Sequence, residues 1–384
     1  MKAKDRLLAA LKGQPTDRVP IYTQIPFVVT AQGFRPGPIH GYADNDPWRE
    51  LDPAYQRLVK RMEAECDNFY FWRPPCMGSD QLFIPPGMTR ALPPVEKDGR
   101  IHTSEVFSYS GRRLTATSAV QPGTGHTWEI EHWCKTPDDA ALLLDVAWTG
   151  HAPRLADFPD LERWLGERGV MWVTIPSPLL PVARLFDPTE FLLYVRTERE
   201  LVHALMRLAA QRIRANLEAL LDLGVGPIIR FGGAEHATPP MMSPRDFDEL
   251  VVAYDQPLME LCKRRGRMVA VHCHGHLRHA LQRFVEMGVD QTDPVEAAPD
   301  GDLTLPEARA IAGDHITLTG NIQMKELVSE DGAFIRRRVR QIIAEGGPRR
   351  LVITTTATPI EPISPRLEEN YNAMMDAVLA YPGS

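Results

Sequence analysis

From residue 140 onward the chain repeats one unit: a short apolar run, a loop, then an amphipathic helix. The apolar runs Val170–Ile175, Pro227–Phe231, Met268–His272, Val289–Asp293, Ile316–Gly320 and Leu351–Thr355 are too short for helices and are bounded by turn residues, so they read as strands. Helical periodicity follows across 188–195, 198–223, 243–265, 277–287, 305–312, 332–345 and 365–381. Two earlier runs, Val19–Gln24 and Asn68–Trp72, bring the strand count to eight. Strands separated by helices pair in parallel, and eight such units over this length predict an α/β fold of the (β/α)8 TIM-barrel type. A doubly wound sheet uses the same alternation. No Gly-rich dinucleotide turn follows any strand here, which disfavours it.

One stretch breaks the rhythm. Residues 87–134 alternate polar and apolar side chains, with turns at Gly99, Gly111 and Pro122–Gly125. They predict a β-hairpin insertion near 87–134, built as a β-meander or a pair of hairpins. Thr136 before Pro137 then marks a helix start. The 34 prolines and 27 glycines punctuate loops without pooling into a linker, so the expected unit is a single barrel domain over 1–384.

Composition narrows the function. A 43% hydrophobic and 24% charged chain is ordinary for a globular enzyme. The net charge of −7, with no long basic run, argues against nucleic acid and anionic membrane as partners. No apolar run approaches the roughly 20 residues that span a bilayer. The N-terminus has no apolar signal core, so the expected location is cytoplasmic. The five cysteines, 66, 76, 134, 262 and 273, form no C-x-x-C pair and predict neither a disulfide framework nor a closed structural zinc site.

In a barrel, chemistry gathers at the carboxyl ends of the strands. The richest end is His272-Cys273-His274-Gly275-His276. Alternate residues of a strand face one way, so His272 and His274 can share a pocket while Cys273 turns aside. With Glu235 and His236 from the preceding strand end, they form a candidate set for Zn2+ or another divalent metal. Adjacent residues seldom face one point, which makes one of Glu235 and His236 a supporting group, and Glu235 can equally cap a turn. Glycines 232 and 233 allow close approach of a ligand. Asp293 is a candidate for fixing a histidine tautomer or closing a strand end. His272, His274 and Asp293 are thus the candidate catalytic residues. Gln24, Arg35, Trp72, Arg73, Asn321, Thr355 and Glu361 are candidate substrate-binding residues at the other strand ends. Trp72 also fits the core, and Arg35 and Arg73 fit loop ion pairs. His276 and His279 read as solvent-facing.

The opening Asp5–Gly13 followed by Asp17-Arg18-Val19-Pro20 resembles the start of uroporphyrinogen decarboxylase superfamily proteins. So do His272–Leu277, Gly288-Val289-Asp290, Gly320-Asn321-Ile322, and the stretch from Leu201 to Gly224 with Met242-Ser243-Pro244. Order and spacing carry the resemblance, and it implies a (β/α)8 barrel. The arginine-rich signature of the decarboxylase branch is replaced by Thr30-Ala31-Gln32-Gly33-Phe34-Arg35. The chain is more similar to the corrinoid-dependent methyltransferase branch, which binds zinc through His-x-Cys-Gly and a later cysteine. Here His274 stands at the position of the motif's cysteine, and Thr354-Thr355-Thr356-Ala357 occupies the later region. Imidazoles in place of thiolates suit an oxygen-containing substrate such as a methyl ether, or mark a site that has lost its metal.

The resemblance therefore implies a metal-dependent methyltransferase moving a methyl group between a small substrate and a corrinoid carried by a partner protein. The alternative expectation is a metal-independent decarboxylase in which Arg35 or Arg73 grips a carboxylate and His272 or His274 supplies protons. A third is a barrel that binds a cobamide without turnover.

Overall fold

The computed structural model describes residues 1–24, 52–122, 127–148, 155 and 158–381, with the backbone of 28–30 and 33–35. Seven parallel strands form one curled sheet in the order Leu351–Val352, Thr317–Thr319, Gln291–Asp293, Met268–His272, Ile228–Gly232, Gly169–Pro176, Asn68–Trp72. The gap between the first and last of these is closed by residues 20–22. Ile21 bridges Ile353 in parallel, Tyr22 N donates to Ile353 O at 2.8 Å, and Asp67 N donates to Ile21 O at 2.8 Å. The eighth expected strand, Val19–Gln24, is thus a single bridge that seals the barrel. The strands at Gln291–Asp293, Thr317–Thr319 and Leu351–Val352 are two or three residues shorter than their apolar runs.

The seam is held from below by charge. Asp67 is fully buried and accepts from Arg6 and Arg18, and Arg6 also pairs with Asp17. The motif at the start of the chain is therefore structural. Its helix, Ala3–Leu11, plugs the base of the barrel with Leu7 and Leu11. Above them the interior is aromatic. Phe69 and Trp172 stack with centroids 4.0 Å apart, and Tyr22 meets both edge-on. Trp172 Nε1 donates to Gln291 Oε1, whose amide donates to Thr319 Oγ1, while the Tyr22 hydroxyl is buried with no partner among the described residues. A larger core lies between the strands and the outer helices.

The insertion is a meander of consecutive hairpins. Thr89–Ala91, Val95–Lys97, Arg100–Tyr109, Arg112–Val120 and Thr127–Glu131 form a five-stranded antiparallel sheet. Thr136 caps the next helix and accepts from Asp139 N, as expected. The expected helix 243–265 is interrupted by a π-helical turn at Asp248–Val252. Among the described residues, no helix is long and apolar enough to cross a membrane.

Candidate functional site

A cavity of about 700 Å³ opens at the carboxyl ends of the strands. Strand register decides which side chains reach it. Gly232 pairs with His272 and with Pro176, and His272 pairs with Asp293, so these positions face the same way. Two residues back along the strands, Arg230 and its partner Thr174 point inward by the same parity. Trp72 pairs with Val173, which has the opposite parity. Its ring therefore leaves the barrel and packs on Phe158, with centroids 4.7 Å apart. It is core, and the expectation of a substrate platform there is corrected.

Each imidazole has its own carboxylate. His272 Nδ1 lies 3.0 Å from Asp293 Oδ2, and His274 Nδ1 lies 3.2 Å from Glu296 Oε1. The two rings meet edge-to-face with centroids 4.6 Å apart, and both border the cavity. Gly275, in the left-handed region at φ 86°, turns the chain so that its N–H donates to Glu296 Oε2 at 2.8 Å. Asp293 is also held by Arg230 through two bonds, Nε to Oδ1 at 3.1 Å and Nη2 to Oδ2 at 2.7 Å. Cys273 is fully buried and faces away from the histidines' side, as alternation predicts.

These surroundings push the histidines apart. Burial, and then the charge of Arg230, lowers the pKa of His272, despite Asp293. Burial also pulls on His274, but its bond to Glu296 and the negative charges of Glu296, Glu235 and Asp293 outweigh it, and its pKa rises. Asp293 is held well below the ordinary carboxylate range: burial opposes this, and Arg230 and His272 overcome it. The surroundings thus favour the neutral imidazole at His272, with Asp293 placed to accept from Nδ1, and the imidazolium at His274.

The other candidates divide. Gln24, Arg73 and Glu235 border the cavity. Gln24 Nε2 donates to Thr355 O at 2.8 Å, and Glu235 Oε2 accepts from Gly233 N at 3.1 Å. Gly233 is required: at φ 112° a Cβ there would stand 2.4 Å from Leu180 Cβ. His236 is half-buried in the Ala234–Ala237 turn and does not border the cavity. Asn321 is buried and accepts from Arg338 Nη2 at 3.3 Å. Thr355 is fully buried and its hydroxyl turns to the carbonyls of Thr23 and Ala357, while its neighbour Thr356 borders the cavity. Glu361 is exposed and off the wall. The Arg35 side chain lies outside the described residues. His279 pairs with Asp248 at 2.8 Å and so is tied to a neighbouring helix.

Two residues went unrecognised in the sequence. Arg230 sits inside an apolar strand, which was its available signal, and Glu296 stands three residues beyond Asp293.

The donor set does not fit a metal well. Among the described residues, no three His, Cys, Asp or Glu side chains converge as ligands. His236 is off the wall, Glu235 is turned toward a backbone amide, and no thiol reaches the pocket.

Comparison with known proteins places the chain. The profile of the family described as uroporphyrinogen decarboxylase (URO-D) matches residues 161–381, more than half of its length. A methyltransferase from Methanosarcina mazei superimposes with a TM-score of 0.60 at 16% identity, over 98% of each chain. A B12-independent methionine synthase from Shewanella sp. W3-18-1 gives a TM-score of 0.43 at 13% identity, over 94% of this chain and 97% of the other. No curated protein matches the chain in sequence.

Proposed function

As the chain belongs to the uroporphyrinogen decarboxylase (URO-D) family, we propose that it is an enzyme of that family's methyltransferase kind, moving a methyl group between a small methoxylated substrate and a corrinoid protein. The observation that carries the reading is the pair of imidazoles, 4.6 Å apart and each braced by a separate carboxylate at the cavity wall. Environments that drive two titratable groups apart assign an acid and a base. Cleaving a methyl ether leaves an alkoxide or phenoxide, a poor leaving group unless it is protonated. His274, with its Nδ1 toward Glu296, offers its Nε2 proton to that oxygen as the carbon–oxygen bond breaks. In the reverse direction His274 takes that proton back, while His272, with its Nδ1–H held by Asp293, stays neutral and offers its Nε2 lone pair to the substrate as a hydrogen-bond acceptor. The corrinoid, when its carrier docks, supplies the nucleophile that takes the methyl group.

This reading departs from the zinc expectation, because the histidines act as proton carriers and the described donor set offers no third ligand. A second reading, decarboxylation of a small acid, needs a cation to seat the carboxylate, and Arg73, Arg184 and Arg230 lie on the wall. One experiment separates the two. Methyl-labelled and carboxyl-labelled 4-methoxybenzoate are incubated with the protein and a reduced corrinoid. Label in the corrinoid fraction supports methyl transfer. Labelled CO2 released without corrinoid supports the lyase instead.

A further inference from the structure

Arg230 is only 2% exposed, yet it forms part of the cavity floor. Nε and Nη2 are taken by Asp293. Among the described residues no acceptor meets the remaining nitrogen, Nη1. The guanidinium is fixed in place by the rings of Phe71 and Trp172, 5.1 and 4.9 Å from its central carbon. Arg230 borders the cavity, so a ligand there can take this nitrogen in a charge-assisted hydrogen bond. Beside it, Thr174 Oγ1 is buried and likewise has no partner among the described residues.

The wall specifies what completes this edge. Among the described residues three arginines border the cavity, against one carboxylate, Glu235. That balance favours an anion, and Asp293 on Arg230, Glu129 on Arg184 and Glu235 on the wall favour one negative charge over two. Pro74, Met77, Pro176 and Leu180 supply apolar surface above the floor. We infer that the substrate is a small monocarboxylate with an apolar body, whose carboxylate docks on the free edge of Arg230 and sets the rest of the molecule toward His272 and His274.

The inference rests on the methyltransferase reading in one respect only: the carboxylate is a handle and not the group that leaves. The physics supports that division. Losing CO2 moves negative charge off the carboxylate, so a guanidinium clamped on it stabilises the ground state more than the transition state. A fixed arginine is suited to holding an acid.

The test is a binding measurement that involves no reaction. Benzoate and benzamide share shape, carry no methyl group, and differ in charge. Calorimetric titration of the full chain is expected to show benzoate binding at least about tenfold more tightly, the scale of one charge-assisted bond. In Arg230→Lys, which keeps a cation for Asp293 but loses the second edge, that preference is expected to shrink to about threefold or less, with the melting curve recording that the fold is retained. Equal binding of the two probes by the wild type, or no binding of benzoate, overturns the inference whether or not the variant folds. Benzoate binding without any methyl transfer from 4-methoxybenzoate would leave the inference standing and sink the proposed reaction.

Discussion

His272 and Asp293 sit opposite one another in neighbouring parallel strands, and their side chains meet at 3.0 Å directly above the Arg230 guanidinium. One carboxylate thus orients a histidine and neutralises a buried arginine. Asp293→Asn removes the charge and leaves Arg230 buried without a counter-ion. Breaking one side of such a pair costs about 3–5 kcal/mol. The variant is expected to unfold at lower urea and to lose activity in the fraction that remains folded, as measured by denaturation at neutral pH alongside turnover.

The pH profile follows from the opposite shifts of the two histidines. Proton delivery needs His274 protonated, and its pKa is raised, so activity is lost as pH rises through a value above the ordinary histidine range. His272 has to be neutral, and its pKa is lowered, so activity is lost as pH falls through a value below that range. A plateau spanning pH 6.5 is expected in kcat against pH. In His274→Gln the alkaline limb is expected to disappear, and kcat is expected to fall by about 10²–10⁴.

Asp255 offers an independent check on the electrostatics. It is fully buried, accepts from Ser177 Oγ at 2.9 Å, and its other oxygen has no partner among the described residues. Burial pushes its pKa up to about 7, with only the Ser177 bond opposing. The folded state therefore holds this proton more tightly than the unfolded chain. Its stabilising contribution is fully present below pH ~4 and is lost as pH rises to about 7. Asp255→Asn is expected to flatten that dependence, gaining on the wild type by about 4 kcal/mol across the window. Denaturation curves at pH 5 and pH 8 are expected to read about 3 kcal/mol of it.

The donor geometry also makes a prediction about metal. With no three convergent ligands among the described residues, chelation is expected to leave methyl transfer within about twofold of its untreated rate, and metal analysis to find less than one ion per chain. A stoichiometric ion whose removal abolishes turnover would instead return the histidines to a ligand role.

Much of this was legible in the sequence, because the barrel is written as periodicity. The strand ends bearing His272, His274 and Asp293 could be read from apolar runs alone. The closing strand could be placed at Val19–Gln24, but the sequence could not show that pairing there reduces to Ile21. Facing was harder. Trp72 stands at a strand end beside Arg73, and only its register with Val173 turns it outward. Arg230 lay inside an apolar run, where a charged residue is easily passed over. Glu296 reaches His274 from a loop whose path the sequence does not specify. Asn321 and Thr355 were placed at the right strand ends, yet their side chains serve the protein's own hydrogen bonds.

The central claim is that His274 protonates the departing oxygen. The measurement that tests it most directly is the single-turnover rate of methyl transfer from a series of methoxybenzoates whose phenols differ in acidity, for the wild type and for His274→Gln. The account predicts a shallow dependence on phenol pKa in the wild type and a steep one in the variant, whose poorest leaving groups are hit hardest. Equal slopes in the two proteins would contradict it.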